Sequence, residues 1–454
     1  MTITNLRADI LVVGAGTAGA AVAARLAERG RQVLLADRRN PEDAGAHWVN
    51  AVPAWLFDEA GVSRPEPPEL VRSGDRHTSV LADAWGTACQ RVLNDPGLHV
   101  DMRLLTARLQ RRAQDAGVTL LRGRVCDVSM TGNRLRGVTL DTDDGALTVH
   151  PRLTIDASGI AGAIRKRTPT LAAACPPPAP TDICEAAQYQ HRVTDEQGAR
   201  EFLARHGALP GANFTRTALE GGYSILLWNV SEDLREVGVL SGTIPTGGAR
   251  PGAAIVAEFV ARQPWIGPRL YGGAAPIPLG QPYTHPTAPG VALVGNAANH
   301  VYALHGSGVG MGLIAARVLA DAVSGAVDPG DPQVLHRYAA RFLRRFGGRL
   351  AASDLFRRFS QQLGGIEVAE LLRSKIVDGP MLLAGLTQTP FQADPHALQT
   401  VLRAAVRHPR LAARLAPVAT RILLIQQAYE RYPTAPDPRA LYRFDQATKR
   451  ILGF

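Results

Sequence analysis

An apolar run that breaks into glycines and then into an alanine-rich helix constrains this chain more than any other feature. Near the N-terminus it reads "ADILVVGAGTAGAAVAARLAERGRQVLLADRR". Residues 8 to 13 alternate little and include β-branched side chains, as expected of a strand buried on both faces. "AAVAARLAERG" predicts a helix closed by Gly30, and "QVLLA" (32 to 36) a second buried strand ending at Asp37. That order is a βαβ unit. Gly14 lets the chain turn sharply off the strand, Gly16 lets backbone N–H groups approach a diphosphate, and Gly19 lets helix and strand pack closely. The N-terminus of the helix, Thr17 and Ala18 included, then faces the phosphates with its partial positive charge. Asp37, followed by Arg38, stands where a carboxylate accepts hydrogen bonds from an adenosine ribose and repels a 2′-phosphate. A dinucleotide site follows from strand, loop, helix and acid together.

The rest of the chain narrows the class. At 454 residues two lobes are expected, with room for an appendage. The formal charge of +10 is carried almost wholly by arginine, since lysine occurs only at Lys166, Lys375 and Lys449. These arginines form no run and are not interleaved with aromatics, which argues against nucleic acid as a partner. Four scattered cysteines, Cys89, Cys126, Cys175 and Cys184, make no disulfide framework, and no Cys/His spacing suits zinc. Cys175 and Cys184 bracket "PPPAPTDI" and read as two partly buried thiols rather than a redox pair. No apolar stretch is long enough to span a bilayer, and the first is too short for a signal core, so a cytoplasmic protein is expected.

Residues 41 to 100 show little periodicity and read as long loops with one short helix over a site. "DMRLLTARLQRRAQDAG" (101 to 117) reads as a helix, and "VTLLRGRVCDVSM", "RLRGVTL" and "ALTVHPRLTIDASG" as strands. Proline-dense 168 to 184 looks like a crossover into a mixed block, 183 to 288. There Tyr223 and Trp228 are expected in a core or pocket wall. Residues 331 to 454 read as helical, basic and amphipathic. A packing layer on the enzyme is the default for them; lidding the pocket, dimerising or lying on a membrane surface are the alternatives.

Two later segments, "TIDASGIAGAIRK" (154 to 166) and "ALVGNAANHVYALHGSGVGMGLIAA" (292 to 316), have no task in a simple nicotinamide dehydrogenase. With the first loop they resemble the three fingerprints of the large FAD-dependent superfamily that holds aromatic-hydroxylase-type monooxygenases, geranylgeranyl reductases and flavin-dependent halogenases. The resemblance implies an α/β fold: a three-layer Rossmann-like FAD-binding lobe (1–182 and 289–330), an inserted β-sheet substrate domain (183–288) and a mainly helical C-terminal region (331–454). It also implies that Asp156 and Gly159 shape a turn beside the diphosphate. Gly295 opens the late fingerprint, whose next position usually carries an aspartate bonded to the ribityl chain. Here that position is Asn296, which keeps a weaker, uncharged contact. Gly306, Gly308, Val309 and Gly310 then open a helix aimed at the flavin N1/C2=O edge, where a helix dipole stabilises negative charge in the reduced ring.

The resemblance places Arg103 where the monooxygenase branch often reaches the cofactor; a surface arginine on an amphipathic helix is the plain alternative. His305, just before "GSGVG", is the candidate catalytic residue, able to donate a hydrogen bond to the reduced ring or to act on substrate. His300 reads as a loop residue. His47, beside Trp48, belongs to a loop that this superfamily often folds over the flavin. No lysine precedes Lys166 and no "WxWxIP" stretch occurs, which weighs against halogenation; "YSILLWNV" departs from the "YxWxFP" segment of the reductases. No second GxGxxG in strand–helix context appears. NAD(P)H would therefore dock transiently, or a flavin reductase or other donor would supply electrons. The favoured expectation is a monooxygenase acting on an apolar or aromatic small molecule through a flavin C4a-(hydro)peroxide. The alternatives are a dehydrogenase or ene-reductase with hydride transfer at N5, and a non-redox cyclase or isomerase that retains FAD. The sequence leaves the substrate and the number of subunits open.

Overall fold

The computed structural model describes residues 4–73, 78–246, 248–374, 376–377, 379–389 and 405–453, with 399 and 403. Three sheets organise these residues. In the first, strands run in the order Thr287–Ala288, Val291–Leu293, Gly145–Asp156, Thr4–Val13, Val33–Asp37, Thr119–Arg122, and every pair after the first is parallel. The side-chain period of two divides the central strand between two cores. Ile10 and Val12 join the helices Thr17–Ala27, Met102–Asp115 and Val309–Val323 on one face. Leu11 and Val13 join Val138, Leu140 and Val149 of an antiparallel excursion on the other. Both faces are thus covered, which is why "DILVV" reads as continuously apolar.

The second sheet has seven strands, ordered Ile266–Pro278, Ile183–Val193, Glu236–Thr243, Ser224–Val230, Asn213–Thr217, Ser79–Ala82, Cys89–Val92. Its outer face carries an aromatic core in which Trp228 stacks on Phe214, ring centroids 4.5 Å apart, and on Phe259 at 5.6 Å. The alternate residues Ile225, Leu227 and Asn229 point the other way, into a cavity.

Residues 41 to 100 differ from their expectation. The short helix is present at Ala54–Ala60, but the remainder supplies five strands rather than long loops. Val49–Pro53, Gly97–Asp101 and Leu70–Ser73 form a third sheet, and the other two strands join the seven-stranded one. Strands of four or five residues are too short to show a period, and Ser79–Ala82 finds its parallel partner in the distant Asn213–Thr217. Helices dominate after residue 331, with Pro409–Glu430 crossing Gly348–Ser360 so closely that a Cβ on Gly348 would stand 2.8 Å from Gln426 Cα. Among the described residues, no helix is long and apolar enough to cross a membrane.

Candidate active site

Three loops meet at the carboxyl ends of the parallel strands. At Gly14 the backbone takes φ +110°, and a Cβ there would lie 2.3 Å from the Ala157 carbonyl oxygen. A Cβ on Gly19 would lie 1.8 Å from the Gly14 oxygen, so the helix presses directly on the loop. Gly16 is the N-cap of Thr17–Ala27 and Gly308 that of Val309–Val323; neither end has a side-chain cap. Ala18 joins the two ends, since its Cβ is 3.2 Å from where a Cβ on Gly295 or on Gly312 would stand. Two uncapped helix N-termini side by side leave several amides without partners, an arrangement suited to a diphosphate and to an anionic ring edge.

The acids hold this geometry. Asp37 accepts from Ala15 N at 2.8 Å through Oδ2 and from Arg39 N at 2.9 Å through Oδ1, while Arg38 is exposed. Gln110 donates to the carbonyls of Ala15 and Pro41, fixing the helix Met102–Asp115 to the loop. Asp156 is fully buried and accepts four donors: Ser158 N, Ser158 Oγ, Ile164 N and Arg165 N, all between 2.6 and 3.0 Å. It shapes the turn at Gly159, whose φ is +70°.

In the late loop, Asn296 Oδ1 would be 2.5 Å from a Cβ on Gly308, so the Asn296 side chain lies against the helix N-terminus and would have to move aside for any larger residue there. Gly310 packs on Leu56. The segment 302–307 is clamped from three sides: Tyr302 N donates to Ser307 O, Ala303 N to Ser353 Oγ, and Tyr223 Oη to the carbonyls of Ala303 and Leu304. Ser307 Oγ and His47 Nε2 are buried without hydrogen-bond partners, polar atoms that a bound cofactor would serve.

His305 stands at positive-φ Gly306, its ring 5.4 Å from that of Tyr302, and it faces the cavity. His305 is exposed to the cavity, and the protein packed around it lowers its pKa from the ordinary value, while burial pushes Tyr302 up to about 12. Both are neutral at pH 7. Arg103 donates to Asp101 at 2.6 Å and stacks 3.6 Å from the centroid of Tyr271, which places it where the third sheet meets the second. Cys175 and Cys184 are buried, free thiols with pKa values raised to about 12 by desolvation.

His300 is buried against Phe342, ring centroids 4.1 Å apart, with neither nitrogen partnered. Desolvation lowers its pKa from 6.5 to about 3. A folded value below the unfolded one means that its contribution to stability is complete above pH 6.5 and is lost as pH falls toward 3. His300→Leu should therefore flatten the acid side of the stability curve. Urea unfolding should show the variant gaining about 3 kcal/mol on the native protein between pH 6.5 and about 4.

A cavity of about 1800 Å³ adjoins this site. Leu81, Leu227 and Leu240 of the seven-stranded sheet form one wall, and Phe356, Leu371, Met381 and Ile422 of the C-terminal helices the opposite one. Asn50, Tyr302, His305 and Ser307 line it at the glycine-loop end. The helices, whose partner surface no residue pattern identified, prove to be cavity walls; their amphipathic spacing was the only sign.

Residues 9–165 match the protein family described as FAD dependent oxidoreductase. The chain is 23% identical to a digeranylgeranylglycerophospholipid reductase of Sulfolobus acidocaldarius, over 97% of this chain and 96% of that protein. It is 27% identical to the ubiquinone hydroxylase UbiL of Rhodospirillum rubrum, over 82% of this chain and 87% of that protein. A solved geranylgeranyl bacteriochlorophyll reductase-like protein from Thermoplasma acidophilum has the same fold, with a TM-score of 0.72 at 15% identity, covering 91% of this chain and 100% of that one.

Proposed function

We propose that the chain is an FAD-dependent oxidoreductase that reduces a carbon–carbon double bond in a long apolar, isoprenoid-type substrate. The cavity carries this reading. At about 1800 Å³ it exceeds the roughly 300–1,000 Å³ usual for drug-sized ligands, its walls are mostly aliphatic, and one end meets the His305 loop. A chain-like molecule fills such a space better than a single ring. A relative named as a digeranylgeranylglycerophospholipid reductase covers 97% of this chain, against 82% for UbiL, which supports reduction over the oxygenation favoured by sequence alone.

Bound FAD would supply the two-electron, hydride-transfer chemistry. The amides of Thr17–Gly19 would hold its diphosphate and those of Val309 and Gly310 the electron-rich edge of its ring, with Asp37 at the adenosine end. Tyr223 and Ser353 keep the 302–307 loop in register with the cavity. His305 holds a proton on a neutral ring, where it can orient the substrate or relay a proton to carbon. The aliphatic walls exclude water. Electrons would arrive from an external donor, either NAD(P)H docking transiently or a flavin reductase.

Enzyme reduced anaerobically and mixed with a geranylgeranyl lipid should reoxidise without oxygen, and the lipid should gain two hydrogens per turnover by mass spectrometry. Reoxidation that needs oxygen, with one oxygen atom added to the lipid, would replace reduction by hydroxylation, the second reading that the likeness to UbiL favours. His305→Ala should keep its FAD and lose about a hundredfold in kcat with little change in KM, read by steady-state kinetics.

A further inference from the structure

Arg349 lies on the helix Gly348–Ser360 and lines the cavity beside Tyr302, Ser353 and Phe356. Its guanidinium carbon stands 5.0 Å over the Trp55 ring and 6.0 Å from the Phe346 centroid. Those aromatic contacts serve the faces of the cation only. Nε and Nη1 are buried with no hydrogen-bond partner. Glu59, the acid that attracts it electrostatically, is already bonded to Arg317 and, at 2.6 Å, to Arg345, and Arg345 adds repulsion. The other guanidiniums lining the cavity differ: Arg235 lies 3.8 Å from Asp233, and Arg72 donates to Asn213 Oδ1 at 2.8 Å and reaches His99, with the charges of Asp95 and Glu232 nearby.

Burying a cation without an anion is costly, and a guanidinium stays charged under any mild desolvation. Cation–π contact offsets part of that cost, but donors in the guanidinium plane go unserved. An oxyanion matches them, because its oxygens accept in that plane. We propose that Arg349 anchors the anionic head group, a phosphate or a carboxylate, of the chain-like substrate. This rests on the apolar-chain reading above and adds a polarity to it: the head is held near Tyr302 and the tail runs between the sheet and the C-terminal helices.

Calorimetric titration of the FAD-loaded protein tests it, using tetradecyl phosphate, tetradecanoate, tetradecanol and inorganic phosphate, the amphiphiles below their micelle concentrations. The two anionic amphiphiles should bind about thirtyfold more tightly than the alcohol, as a charged hydrogen-bonded contact requires. Arg349→Gln should abolish that preference and leave the alcohol's affinity within about twofold. Arg349→Lys, which keeps the charge and loses the fork, should retain part of the preference. Equal binding of anion and alcohol by the native protein overturns the anchor and leaves the apolar-chain reading standing. Inorganic phosphate binding as tightly as tetradecyl phosphate overturns it too, by showing a free-anion site. Failure of every amphiphile, the alcohol included, overturns both.

Discussion

Gly14→Ala should yield protein with almost no bound FAD and a melting temperature lowered by several degrees. The added methyl group meets backbone on every side: the Ala157 oxygen at 2.3 Å, the Ala157 carbonyl carbon at 2.5 Å and the Ser158 nitrogen at 2.8 Å. None of these is the end of a flexible side chain, so relief requires separating the first glycine loop from the turn shaped by Asp156. The φ of +110° adds strain that only glycine escapes. Together these effects should cost about 3–5 kcal/mol. Gly30→Ala is the matched control. Its φ is +80° but a Cβ there meets nothing within 4 Å, so only the backbone term of about 1 kcal/mol applies and FAD should be retained. Equal losses in the two variants would show that the crossing of the two loops is not tight.

Asp156→Ala should be about as destabilising as Gly14→Ala. Its carboxylate is buried and is the listener for four donors from Ser158, Ile164 and Arg165. Removing it leaves buried N–H groups unsatisfied, at a cost of about 1–3 kcal/mol each where water does not enter, or about 3–5 kcal/mol in all. The turn through Gly159 then keeps only the bonds from Ala157 N to Val13 O, Gly162 N to Gly159 O and Ala163 N to Ser158 Oγ, and the site should lose FAD together with stability. Denaturant midpoints of the apoprotein separate the two effects. A midpoint unchanged from the native apoprotein would mean that the turn holds its shape without the acid.

The glycine loops were legible because their chemistry is local. A sharp turn, a close approach and a helix start each demand particular residues at fixed offsets, so Gly14, Gly19, Gly295 and Gly308 announce themselves, and the parallel sheet follows from its unbroken apolar strands. The short strands between 49 and 101 were not legible, because their partners lie far along the chain and register is a property of the assembled sheet. Arg103 illustrates a second limit: its position on an amphipathic helix is visible, but its stacking on Tyr271 depends on how two sheets meet. Arg349 illustrates a third. In a chain with many arginines, that this one lacks an acidic partner shows only in the fold, where Glu59 turns its oxygens to Arg317 and Arg345.

The central claim is that two uncapped helix N-termini, with Asp37 beyond them, hold both halves of a flavin dinucleotide. Equilibrium binding of FAD and of FMN to the apoprotein, followed by flavin fluorescence, tests it most directly. FAD should bind at least about a hundredfold more tightly than FMN, because only FAD brings the second phosphate and the adenosine to the first loop. Equal affinities, or no binding of either, would contradict it.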